Sequence, residues 1–293
     1  MKSIPYNIVS LQPPYMDPSG MSYHFDGVPN GVFNHMAEKM HGDGIIRPRK
    51  GKGDPHLAPD VLMVMIPSEL RFLAQKTGAT KTVFSEMRLY DMYRIQEKEE
   101  ASVTLAGPFM GAPHAVMGME KLIAMGARRI LVLGWCGSLQ PFLKIGDLVI
   151  PTHAVSEEGT SQHYPTASKN PTSDSALNRT LETALKEKKT PFTKGSIWTT
   201  DAIYRETPEK VTAYRQQNIL AVEMEISALL AVSSFRSVQL AALLVVSDEL
   251  FELKWRPGFS NSRLKRGSRA AAELLLGVHE QLARSKRLSG EMK

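Results

Sequence analysis

Cysteine is almost absent from this 293-residue chain: Cys136 is the only one. That excludes an intrachain disulfide and a cysteine-rich metal site, and it fits a reducing compartment. No apolar run approaches membrane-spanning length, and the N-terminus shows no basic-then-apolar leader pattern. A cytoplasmic protein without membrane attachment is therefore expected. A concentrated positive track is missing too. The net charge of +6 and pI of about 9.3 are spread over Arg47-Pro48-Arg49-Lys50-Gly51-Lys52, Lys186–Lys189 and the stretch from Arg263. Without aromatic interleaving such charge reads as solvated surface, so no nucleic-acid partner is expected, while anionic substrates stay compatible. His153 and His163 lack partners at metal-ligand spacing, so no metal is expected. What remains, 42% hydrophobic and 23% charged residues, is ordinary for a globular protein.

Residues 1–60 are rich in Pro, Gly, His and Asn and read as an irregular arm with one short helix at Val32–Met40. From Asp60 the texture changes. Val61–Ile66 reads as a buried strand, followed by a helix capped by Ser68 and stopped by Gly78. Ala101–Ala106 reads as a strand, Gly107–Pro113 as a tight loop, and the next helix runs to Met125 with Gly126 as its stop. Arg129–Leu133 is a strand running into Gly134-Trp135-Cys136-Gly137-Ser138, and Asp147–Pro151 is another. Asp174 or a neighbouring hydroxyl caps a helix, Gly195–Thr199 is a strand, and Thr207-Pro208 opens a further helix. Ile219–Val222 and Gln239–Ser247 are strands around a buried helix, Glu225–Phe235. Asn261–Ala283 is the closing helix. Alternating strands and helices indicate a layered α/β domain over 61–285, with 286–293 as a disordered tail.

Two apolar runs stop at carboxylates: one reaches Val222-Glu223-Met224-Glu225, the other Val245-Val246-Ser247-Asp248. Ligands of open α/β sheets sit where such strands end. One carboxylate can hold a diol while another protonates a leaving group, a pairing suited to cleaving a bond between a sugar and a base. The plainer reading of Glu223 and Glu225 is that they begin a helix, where acidic groups meet unpaired N–H groups.

Five segments in order resemble the nucleoside phosphorylase superfamily, which includes purine nucleoside phosphorylase, uridine phosphorylase and nucleosidases. They are Gly107–Pro113, Leu133–Ser138 with Gly146-Asp147-Leu148-Val149, Thr199–Tyr204, Val222–Glu225 and Ser247-Asp248. The resemblance implies a three-layer α/β/α fold with a mixed, partly barrel-like central sheet. It implies that Glu225 holds the ribose hydroxyls, that Met224 packs on the sugar, and that Glu223 supports that site. Met110 would approach the sugar, Ile203 would take the base-stacking place, and Asp248 would protonate a purine leaving group. Arg263 would assist Asp248. The implied activity is cleavage of the N-ribosidic bond by phosphorolysis, in purine salvage, by a homo-oligomer (dimer, trimer or hexamer), with no cofactor beyond phosphate as a possible co-substrate.

The phosphate side departs from the family pattern. In place of a Gly-Asp-Pro loop the chain has Met65-Ile66-Pro67-Ser68-Glu69-Leu70-Arg71, and Val132 and Trp135 stand where an arginine and a hydroxyl residue are usual. A phosphate dianion needs several donors and cations. Arg71, and Arg88 reaching a neighbouring subunit, are the candidates to supply them. Two alternatives follow: a hydrolytic nucleosidase with water positioned by Glu69, or a non-catalytic nucleoside-binding protein. Cys136 reads as a buried filler, Glu157–Tyr164 as a polar loop that either lines the pocket mouth or does not, and Arg205 as a base reader or a surface group.

Overall fold

The computed structural model describes residues 15–16, 23–24, 44–84, 89–97, 100–166 and 171–289. The chain divides into two units, Met1–Arg47 and Pro48–Lys293. In the first, strand β1 (Tyr15–Met16) pairs antiparallel with β2 (Tyr23–His24); the helix expected at Val32–Met40 lies outside the described residues.

The second unit is a ten-stranded mixed sheet. Its strands are β3 (Asp60–Val64), β4 (Thr80–Thr82), β5 (Asp91–Glu97), β6 (Glu100–Gly107), β7 (Arg129–Ser138), β8 (Leu148–Glu157), β9 (Phe192–Thr200), β10 (Ala221–Glu223), β11 (Gln239–Glu249) and β12 (Arg256–Pro257). They lie in the order β12-β11-β8-β9-β10-β7-β3-β6-β5-β4, and β11 pairs with β7 as well as with β8. The extra pairing closes β7, β11, β8, β9 and β10 into a ring. The open wing beyond β7 carries β3, whose five residues are all buried, as befits a parallel strand covered on both faces.

The helices are α1 (Pro67–Thr77), α2 (Ala112–Met125), α3 (Ser175–Glu187), α4 (Pro208–Gln216), α5 (Ile226–Phe235) and α6 (Ser262–Ser289). One apolar core joins α2 and α5 to one face of the sheet, and a second joins α1, α3 and α6 to the other. Trp198, Val211, Val222 and Leu250 form a smaller core under α4. These are the three layers expected.

Local chemistry explains most boundaries. The Asp174 carboxylate accepts from Leu177 N at 2.8 Å and caps α3. Thr207 caps α4 with Pro208 at its first position. Gly78 closes α1 in the left-handed region at φ 61°. Ser68 does not cap α1: the cap position is Ile66, Pro67 opens the helix, and the Ser68 hydroxyl bonds Glu69 instead. β4 and β5 were not anticipated. Met92 and Ile95 of β5 are buried, but Arg94 and Gln96 between and beside them hide the alternation. The closing helix extends to Ser289, into the span expected as a tail, whose last residues, 290–293, lie outside the described residues.

Candidate active site

Gly137, near the C-terminal end of β7, is the pivot. Val222 of antiparallel β10 is its partner on one side, and Asp248 of parallel β11 on the other. A Cβ here would lie 2.5 Å from Leu250 Cδ1, 3.0 Å from Asp248 Oδ2 and 3.3 Å from Val222 Cγ1. A larger residue here would press on these three side chains, the Asp248 carboxylate among them. β11 is bulged between Val246 and Asp248, and such a bulge re-aims the side chain that follows.

The sugar-side carboxylates stand at the β10–α5 corner. Glu223 Oε2 accepts from the backbone N–H of Glu225 at 2.6 Å and of Ile226 at 2.8 Å. Its Oε1 accepts from the Thr199 hydroxyl, whose oxygen in turn accepts from Ser227 N at 3.0 Å. Glu223 thus clamps the start of α5, so the helix-start reading applies to it. Glu225 reaches the other way: its Oε1 accepts from Gly111 N at 2.6 Å, which ties the Gly-rich loop to the same corner. Burial raises both carboxyls above the usual range, and the Glu225 charge raises Glu223 further. Met224, between them, is partly exposed.

The Gly-rich loop is held from behind. Met110 N donates to His114 Nδ1 at 3.2 Å, and His114 Nε2 donates to Leu89 O at 3.0 Å, a pattern that fits the neutral ring protonated on Nε2. The Met110 side chain stays 78% exposed.

On the other side of Gly137, Asp248 Oδ1 accepts from the Ser247 hydroxyl at 2.7 Å, and Oδ2 accepts from Trp255 Nε1 at 3.0 Å. Burial pushes the Asp248 carboxyl up against these two donors, the direction a general acid needs. Ile203 and Arg205 lie in an exposed turn of 3₁₀ helix, and Glu206 closes it. Burial, and then the charge of Asp248, push the Glu206 carboxyl up to about 7. Cys136 is buried between the carboxylates, and burial followed by the charges of Asp248 and Glu223 push its thiol up. It is a filler, not a nucleophile.

Sequence reasoning missed three participants. Glu206 is a turn acid whose neighbour shows only in the fold. Trp255 is brought to Asp248 by the β11–β12 hairpin, in which Asp248 pairs with Pro257. Glu158, inside the polar loop, accepts from Ser156 Oγ (2.8 Å), Ser227 Oγ (2.9 Å), Thr160 N (2.6 Å) and Ser161 N (3.0 Å). Burial alone would raise its carboxyl, but these donors hold it below the usual range. The loop is thereby fastened to α5 beside Glu223.

Three expected residues stand elsewhere. Arg263 pairs with Asp147 at 3.2 Å; the side chain that donates to Asp248 Oδ2 is Trp255. Glu69 is buried, with Oε2 3.3 Å from Arg269 Nε of α6 and Oε1 accepting from Ser68. Its carboxylate thus joins α1 to α6 by an ion pair, though Oε2 makes no hydrogen bond. Arg71 is exposed on α1. Arg88 lies outside the described residues. Val132 is fully buried in the core, and Trp135 donates to Ser268 Oγ at 2.9 Å while packing on Phe259. Neither offers a cation or hydroxyl to an anion. Among the described residues, no helix is long and apolar enough to cross a membrane.

Known proteins similar to this chain include nucleoside phosphorylases. A guanosine phosphorylase from Halorubrum lacusprofundi is 30% identical over 148 residues, covering 50% of this chain and 61% of that protein. A DeoD-type purine nucleoside phosphorylase from Caldanaerobacter subterraneus subsp. tengcongensis is 28% identical over 209 residues, covering 68% and 87%. The chain thus spans about three fifths of the first relative and most of the second. The crystal structure of purine nucleoside phosphorylase from Toxoplasma gondii in complex with immucillin-H superposes with a TM-score of 0.71 at 22% identity, covering 83% of this chain and 99% of that one. That likeness is one of fold. The family model described as the phosphorylase superfamily matches residues 59–278. The chain belongs to the phosphorylase superfamily.

Proposed function

We propose that this protein cleaves the N-ribosidic bond of purine nucleosides by phosphorolysis, releasing free base and ribose 1-phosphate. The observation that supports the reading is that β10, which ends at Glu223, and β11, which carries Asp248, both pair with Gly137, and that burial raises the Asp248 carboxyl. Bond breaking leaves positive charge on the sugar and negative charge on the base. Glu225 accepts from ribose hydroxyls and fixes the sugar, with Glu223 holding the corner rigid. Asp248 delivers a proton to the departing base, an effect of about 10²–10⁴-fold. Glu206, beside Asp248, offers an acceptor to a base N–H. A 6-oxopurine carries such an N–H on its six-membered ring, whereas adenine carries a bare ring nitrogen there. The preferred substrates in this reading are inosine and guanosine.

The relatives' names support phosphate as the acceptor. The ion pair of Glu69 with Arg269 favours this reading over hydrolysis by a Glu69-held water. A cytoplasmic homo-oligomer acting in purine salvage, with phosphate as its only co-substrate, completes the reading. The test is release of base from inosine with and without phosphate, with the sugar product identified. Ribose 1-phosphate formed only with phosphate is expected, with Asp248→Asn lowering turnover while retaining binding. Phosphate-independent release of ribose would assign hydrolysis, and binding without release would leave a nucleoside-binding protein.

A further inference from the structure

We propose that Trp255 is a positioning residue that latches Asp248 in the empty site, its indole N–H occupying the carboxylate oxygen that a base must reach, and that an incoming purine nucleoside displaces it. The proposal rests on Asp248 being the general acid, as argued above.

The geometry separates the two oxygens of Asp248. Oδ1 is turned to Ser247, at 2.7 Å. The Ser247 hydroxyl also lies 3.2 Å from Cys136 O. Its one hydrogen can serve either acceptor, so Ser247 suits both forms of Asp248: it donates to the carboxylate, or accepts from the acid while donating to Cys136 O. Trp255 has no such freedom. An indole N–H has no lone pair and only donates, so its 3.0 Å contact requires Oδ2 to accept. A donor on Oδ2 favours the charged carboxylate, the form that cannot protonate a base.

Trp255 is placed to let go. It sits at the end of the β11–β12 hairpin, immediately before Arg256, which pairs with Glu249. The hairpin itself is fastened by Leu250 N donating to Ser138 O at 2.9 Å and Arg215 donating to Phe251 O at 2.6 Å. The indole, by contrast, is 64% exposed, and its ring neighbour is Phe259 at 6.3 Å, itself 57% exposed. Its removal from Asp248 uncovers little apolar surface that is now dry.

The proton balance follows. When the indole leaves and the accepting N7 of a purine takes its place, Oδ2 faces a lone pair. A proton taken from water then sits between them. As a phosphate oxygen bonds C1′ and the C1′–N9 bond breaks, the electron pair of the broken bond passes to the base, the proton moves from Oδ2 to N7, and Asp248 becomes a carboxylate. The indole N–H returns to that carboxylate and helps expel the protonated base.

Two measurements on the full-length chain test this. The first needs no turnover. Emission of the free protein, titrated from pH 4 to 9, should show a step as Asp248 ionises against Trp255, absent in both Trp255→Phe and Asp248→Asn. A wild-type protein without that step, or the same step in Trp255→Phe, overturns the latch. The second is the pH profile of kcat/KM for inosine, which reports the free enzyme. Activity needs the acid form, so the high-pH limb should move up by about one pH unit in Trp255→Phe. A uniform fall in kcat/KM with the limb unmoved overturns the latch and leaves Trp255 a packing group. Absence of wild-type turnover sinks the phosphorolysis reading alone, because the emission titration still decides the latch.

Discussion

At the scale of single residues, the chemistry hangs on one missing side chain. Gly137 separates Asp248 from Val222 with no space for a methyl group. Gly137→Ala should push Leu250 and Asp248 aside. An overpacking cost of about 1–3 kcal/mol is expected by chemical denaturation, together with a larger proportional loss of turnover than of stability. Glu206 carries a second prediction. If its carboxylate accepts from a base N–H, Glu206→Gln should lower kcat/KM for inosine by roughly 10–100-fold, the worth of one hydrogen bond to a charged group. The loss for adenosine should be smaller, and equal losses on both would remove Glu206 from base reading. Glu223, Glu225 and Asp248 are visible in the sequence because apolar runs stop at them. Glu206 and Trp255 are not, since what marks them is a neighbour brought close by a turn and a hairpin. Arg263, of the expected type, pairs with Asp147 in this structure.

At the scale of elements, the corner between β10 and α5 is held by buried carboxylates of opposite behaviour. Glu158 has its carboxyl held below the ordinary value of 4.5. A carboxyl lowered on folding stabilises the native state above its unfolded pKa, and that contribution fades as pH falls through the folded value. The loop carrying Ser161 and Tyr164 should therefore loosen in acid below about pH 4.5, seen as faster amide exchange at Thr160 and Ser161. Glu158→Gln should show the same loosening at neutral pH, at a cost of about 2 kcal/mol. Unchanged exchange in the variant would show that backbone contacts alone hold the loop. Glu223 and Glu225 run the other way, since their carboxyls are raised and ionising both works against the fold as pH rises. Most helices and the long strands were legible from caps and apolar runs. The edge pair β4 and β5 was not, because an edge strand needs burial on one face only and Arg94 and Gln96 break the pattern.

At the scale of the whole chain, exposed apolar side chains gather beside the site. Val83, Leu89 and Met117 are 65%, 43% and 50% exposed, and Leu89 and Met117 line one groove with Phe84, Tyr90 and His114. His114 is also the residue that holds the Gly-rich loop. Burial of such a groove against a second copy would couple assembly to the loop that meets Glu225. Sedimentation at micromolar concentration should show a homo-oligomer, and Met117→Glu should shift it toward monomer while lowering activity. A wild-type monomer with full activity would contradict this.

The five-stranded ring has a consequence for how the protein comes into being. Closing it requires Arg129 to find Gln239 and Gly137 to find Asp248, partners separated by most of the intervening helices and strands. Loop-closure entropy must be met before such distant pairing is rewarded, so formation should be slow, in the millisecond-to-second range typical of high contact order. During synthesis β7 leaves the ribosome long before β11, and waits with one edge open. A chain halted before residue 239 holds neither Asp248 nor the strand that seals β7. Ligand affinity should therefore arise in one late step, with roughly the last fifth of the polypeptide.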